Sequence, residues 1–187
     1  MGLRAIWARL REDDPTLTAL DLAAVGIGKE AAASLGEALQ VNTALTSLDL
    51  SENPFGPRGT AAIREALKVN VGLISLDLSG NFCGAREAAL LGEALEENAT
   101  LQTLDVSRNR FNAGDARPIG DALAANTALT ALDISVNHLA AEDAEAFCRG
   151  LEANTTLRVL DVGDNQLGPP GAQAPTISAS NCVAGFA

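Results

Sequence analysis

The sequence predicts a curved α/β solenoid, with parallel strands on its inner face and helices on its outer face. Three observations carry this. Lead leucines recur at Leu17, Leu45, Leu73, Leu101, Leu129 and Leu157, a constant step of 28 residues. A fixed period of that length implies stacked units rather than one globular core. Each step opens with a strand-like alternation such as Leu48-Asp49-Leu50-Ser51, in which Leu48 and Leu50 face the core and Asp49 and Ser51 the open side. Each then continues at helical spacing, with Thr60, Ile63, Ala66 and Leu67 in one repeat and Ala88, Leu91, Ala94 and Leu95 in the next. A strand and a helix in every unit must stack in parallel. The wider helix layer puts the strands on the inside of the curve.

Taken in order, residues 1–16 read as an N-terminal cap. Leu3, Ile6, Trp7 and Leu10 share one helical face, and Asp13-Asp14-Pro15 ends the helix. A solenoid exposes apolar core at its ends, so a helix before the first repeat covers it. Residues 17–168 form six repeats. Asn53, Asn81, Asn109, Asn137 and Asn165 follow the strands, with Val25 in that place in the first repeat. Small residues at Ala38, Ala66, Ala94, Ala122 and Gly150 let each helix sit close to the strands. Asn42, Asn70, Asn98, Asn126 and Asn154 recur before the lead leucines and are expected to close helices in the left-handed conformation. Asn42 is expected to be more exposed than Asn109. Pro118 predicts that the fourth helix starts late, near Asp115. The sixth repeat meets Pro169-Pro170-Gly171 where its helix should begin. Residues 169–187 therefore read as an irregular tail. Leu160, Val162 and Leu167 then lie near an open core end, covered by the tail or by weak dimerisation there.

The pattern Leu-x-x-Leu-x-Leu-x-x-Asn-x-Leu with a helix at this period resembles the leucine-rich repeat of the ribonuclease-inhibitor-like class. The repeats are similar to those of NOD-like receptors. The entry Asp13-Asp14-Pro15-Thr16-Leu17 and the helix ends of type Ala-Leu-x-x-Asn are similar to tropomodulin-type actin-capping proteins. Neither a nucleotide-binding segment nor an extended actin-binding arm is present in these residues. The resemblance implies a leucine-rich-repeat horseshoe whose post-strand asparagines bond neighbouring loop backbones. Its function is expected to be protein binding through the concave face, without catalysis or cofactor.

Composition narrows the partner. The net charge of −11 disfavours nucleic acid and anionic membrane. It suits a basic protein partner, or simply solubility. No secretory signal is apparent, and a cytoplasmic location is expected. Cys83, Cys148 and Cys182 are too few for a disulfide framework or a metal cluster and read as buried free thiols. One histidine, His138, and no tyrosine leave no catalytic set to assemble.

The candidate binding residues are Asp21, Asp49, Asp77, Asp105, Asp133 and Asp161, all at one concave strand position and flanked by small residues. They form an acidic strip for a basic partner, or a repeated consensus tolerated by solvent. At a strand spacing of about 4.8 Å their mutual repulsion should raise the pKa of Asp77, Asp105 and Asp133. Arg108 and Arg110 share one loop and support an alternative, since Ran GTPase-activating proteins have this fold class and act on a small GTPase. A third reading is a structural fragment of a longer repeat protein.

Overall fold

The structure, a computed structural model, describes residues 2–168. Helix α1 (Leu3–Arg11) is followed by β1 (Ala19–Asp21), α2 (Lys29–Leu39), β2 (Ser47–Asp49), α3 (Gly56–Val69) and β3 (Ser75–Asp77). Then come α4 (Ala85–Glu97), β4 (Thr103–Asp105), α5 (Arg117–Ala122), β5 (Ala131–Asp133), α6 (Ala141–Ala153) and β6 (Val159–Asp161). The six strands form one parallel sheet in chain order. Strands lie on the concave side of the horseshoe and helices on the convex side. Every lead leucine from Leu17 to Leu129 is buried between the layers, with Leu157 partly buried at their edge. Helix α5 begins at Arg117, two residues later than the sequence suggests, with Pro118 in its first turn.

The apolar residue after each post-strand position forms a second column: Ile27, Phe55, Cys83, Phe111, Leu139 and Leu167 are all buried. Ile6, Trp7 and Leu10 of α1 join the same core. Leu160, Val162 and Leu167 are buried as well, at 1%, 1% and 2% exposure. Residues 169–187, with the expected tail contact or dimer, lie outside the described residues. Cys83 is a buried free thiol, whereas Cys148 is disulfide-bonded, which corrects the free-thiol expectation there. Burial pushes the Cys83 thiol up to about 12.

Two columns of asparagine amides join the repeats. In the first, Asn109 Nδ2 donates to the carbonyls of Leu78, Val106 and Ser107 at 2.9–3.1 Å. Its Oδ1 accepts the N–H groups of Asn81 and Cys83 at 3.0 and 2.9 Å. Asn53, Asn81, Asn137 and Asn165 make matching bonds to their neighbouring loops. In the second column, Asn70 Nδ2 donates to Leu39 O and Asn42 O in the preceding repeat, and Oδ1 accepts from Gly72 and Leu73. The expected left-handed caps are therefore corrected. Asn70, Asn98 and Asn154 are extended, with φ of −71°, −76° and −78°, and close each helix through the side chain instead. Asn42 is not the more exposed member: it is 1% exposed against 6% for Asn109, and its amide donates to Leu10 O, tying α1 into the column.

Helix spacing is set by small residues at the helix–helix contact. A Cβ on Gly92 of α4 would lie 2.7 Å from the Pro118 carbonyl oxygen of α5. The glycine is there for contact, since alanine is the better helix former.

Two outcomes follow for stability. Asn109→Ala leaves buried backbone groups unpaired and should cost on the order of 1–3 kcal/mol or more, while Asn42→Ala, with fewer bonds to lose, should cost less. Urea midpoints of the two variants check the order, and an Asn109→Ala chain that melts like the parent would remove the structural role. Gly92→Ala should also destabilise, by about 1–3 kcal/mol, because overpacking against backbone outweighs the gain in helix propensity; a rise in melting temperature would show that α4 and α5 can separate freely.

Candidate functional site

The strand register brings all six predicted aspartates into one row. Asp21 pairs with Asp49, Asp49 with Asp77, and so on through Asp161. Asp21 is exposed and the other five are half-buried. Each carboxylate also has a local task that the sequence reading omitted. Oδ1 accepts the backbone N–H two residues on: Ala23 for Asp21 at 3.0 Å, Ser51 for Asp49 at 2.8 Å, and Ser79 for Asp77 at 2.8 Å. The same bond joins Ser107 to Asp105, Ser135 to Asp133, and Gly163 to Asp161 at 2.8–2.9 Å. These bonds close a turn at the end of each strand, a use for which aspartate is well suited. They also fix the orientation of the side chains.

Just beyond that turn the backbone passes through the left-handed region in every repeat. Ala24, Glu52, Gly80, Arg108, Val136 and Asp164 have φ between 52° and 65°. Only Gly80 among them adopts that conformation without steric cost.

At mid-row, the Asp105 carboxyl is raised above the ordinary carboxylate range. Burial is the largest cause, and the charges of Asp77 and Asp133 add to it. Hydrogen bonds from Ser107 oppose it. Repulsion along the row is therefore present at Asp105 but is secondary to desolvation.

Arg108 and Arg110 lie on the strand-to-helix edge and are both exposed. The Arg110 guanidinium lies 4.3 Å from the centre of the Phe82 ring in the preceding repeat, a cation–π contact. Arg108 makes no ion pair among the described residues. No group of three His, Cys, Asp or Glu among the described residues could hold a metal ion. No helix among them is long and apolar enough to cross a membrane.

The leucine-rich-repeat family profile matches residues 41–63, 97–120, 125–148 and 153–174. Two solved structures are similar in shape. A leiomodin-1 domain, described as actin-binding site 2, is 24% identical with a TM-score of 0.71, over 82% of this chain and 89% of that one. The C-terminal domain of tropomodulin from Caenorhabditis elegans is 19% identical with a TM-score of 0.70, over 82% of this chain and 93% of that one. Both likenesses concern the fold. No curated protein sequence matches the chain.

The raised Asp105 group sets a pH dependence. A folded pKa above the unfolded one means that the ionised form is the less favourable in the fold. That destabilisation is absent below the unfolded pKa of about 4, grows as pH rises towards the folded value, and is complete above it. Asp105→Asn keeps an acceptor for the Ser107 N–H and removes the charge. The variant should be at least as stable as the parent at pH 7, with the difference closing as pH falls below about 4. Denaturant midpoints across that range check it; a variant weaker than the parent at pH 7 would mean that the charge itself strengthens the turn.

Proposed function

Since the chain is a leucine-rich-repeat protein, we propose that it is a protein-binding module whose concave Asp row receives a lysine- or arginine-rich segment of a partner. One observation carries this reading. In Asp21, Asp49, Asp77, Asp133 and Asp161, Oδ1 is occupied by the turn, while the second oxygen accepts no hydrogen bond among the described residues. The turn bonds hold these side chains in place, so a partner's cations meet acceptors already oriented at the strand spacing of about 4.8 Å. Binding also relieves the repulsion between neighbouring carboxylates. Pairing of this kind weakens with salt, as screening acts within roughly 8 Å at physiological ionic strength.

The leiomodin-1 domain of similar fold is described as an actin-binding site. Actin is therefore the first named protein to try against this chain.

The test titrates the labelled chain with monomeric actin and with a lysine-rich probe peptide, at low and physiological salt. The variant carries Asp77→Asn, Asp105→Asn and Asp133→Asn together. It should fold at least as stably as the parent and bind the peptide about tenfold more weakly at low salt, the scale on which complementary charges act. Equal affinity of parent and variant for the peptide would sink the concave-face reading, whatever the outcome with actin.

A further inference from the structure

The third repeat departs from its neighbours on the strand-to-helix edge. Cys83 stands in the buried column where the adjacent repeats place Phe55 and Phe111. Next to it Phe82 is 60% exposed and held at φ 59°, with Arg110 over its ring. A cleft of about 300 Å³ opens beside these residues, between them and the Pro54–Pro57 loop of the second repeat. Its one charged lining group is the Glu87 carboxylate.

Glu87 is 6% exposed. Its Oε2 accepts the Gly84 N–H at 2.9 Å and caps α4. Its Oε1 is buried and accepts nothing among the described residues. Asp143, in the equivalent place on α6, shows the closed form of this junction. It accepts the N–H of Ala140 at the head of its own helix and those of Gly114 and Ala116 from the preceding repeat, at 2.9–3.0 Å. The residues of the preceding repeat that correspond to Gly114 and Ala116 are Arg58 and Thr60, which already lie inside α3, and no N–H from there reaches Glu87 Oε1. The open acceptor is thus a feature of this one junction.

A second cleft, of about 450 Å³, lies on the other side of the same loop. Its charged lining groups are Lys29, Arg58 and Arg86, with no acid among them. Arg58 and Arg86 make no ion pair among the described residues. Lys29 is 3.5 Å from Glu30, itself well exposed. Two adjoining clefts of opposite charge therefore share Pro54, Gly56 and Pro57 as a wall.

We propose that this edge docks a segment of another protein carrying an acidic and a basic side chain close together, one in each cleft. The carboxylate enters between Lys29, Arg58 and Arg86, where guanidinium groups can grip it with two parallel bonds. The partner's ammonium or guanidinium donates to Glu87 Oε1, and its methylene stem lies against Phe82 and Pro57. Occupation supplies the missing donor to a buried carboxylate oxygen, and charge-assisted bonds of this kind are the strong ones. The surface lies on the strand-to-helix loops, so it stands or falls separately from the concave Asp row.

The test uses the full chain and labelled peptides of one alanine-based frame, with Glu and Lys separated by zero to four residues, and the same frames with either or both replaced by Gln. Binding is read by fluorescence polarisation. At the best spacing the Glu/Lys peptide should bind about tenfold or more tighter than either singly neutralised one, as expected for complementary charges at an interface. Arg58→Gln with Arg86→Gln should abolish the preference for Glu over Gln and leave the preference for Lys. Glu87→Gln, which keeps an acceptor for Gly84 and turns a donor towards the cleft, should abolish the preference for Lys alone. Circular dichroism confirms that the variants fold, and the exposed arginine pair keeps the test alive should Glu87→Gln unfold. Absence of binding at every spacing, equal binding of all four charge types, or unchanged preferences in the folded variants would overturn the proposal.

Discussion

The constraint on which the structure depends is the pairing of backbone groups between repeats. Each strand is three residues long, so most of the backbone lies in loops and helix ends that the next repeat covers. A covered N–H or C=O without a partner is costly. The asparagine amide answers this with two donors and an acceptor on one short stem. The post-strand column serves the loops on one edge of the sheet, and the helix-end column serves the other. Both need the same side chain to return at the same height. That is why the period is strict, and why α1, through Leu10 O and Asn42, is bonded into the ladder that the repeats continue.

Much of this was legible because each rule is stated several times over. One Leu-x-Leu is weak evidence for a strand; the same register at every lead leucine fixes a parallel sheet with Asp opposite Asp. The helix-end asparagines were legible as helix closers but not in their geometry. Asn is common both in left-handed caps and in side-chain bonding, and composition does not separate the two. Burial of Asn42 depends on α1 folding over it, a tertiary fact. The left-handed residues were illegible for another reason. Glu52 and Val136 have no intrinsic wish for positive φ, and only Gly80 advertises it. The conformation is imposed by bonds on both sides: Glu52 N–H to Ser79 O, and the Asn53 N–H to Asn81 Oδ1. The cleft at Glu87 depends on an open oxygen and on prolines across from it, which no single repeat reveals.

Charge is distributed by surface as well as by amount. On the helices, opposite charges from adjacent repeats meet: Lys68 with Glu97, Arg149 with Asp121, and Arg64 with Glu93. Such exposed pairs add little stability and offset only part of the acid on that face. The Asp row is left with one open oxygen per turn in five of its six members. The strand-to-helix edge is left with Arg58, Arg86 and Arg108 unpaired among the described residues. A net charge of −11 therefore conceals an acidic inner face beside an edge with its own cations. Long-range attraction of a basic protein and short-range capture of an acidic side chain are compatible on one molecule, because screening confines the second to its cleft.

A repeat array can hold such a local irregularity more safely than a globular core can. Its stability is approximately a sum over repeats and their junctions, so one incompletely paired junction weakens its neighbourhood without removing the partners of the others. Asp143 shows that the sequence has a way to close this position when closure is what the repeat requires. Glu87 is one methylene longer, faces a repeat whose helix has already begun where a free loop N–H would help, and sits beside a cysteine where a phenylalanine would fill space. Each change alone would be an ordinary variation among repeats. Together they converge on one cleft, and in a chain whose other junctions are well satisfied, that convergence is the physical ground for reading the third repeat as a place where another molecule completes the structure.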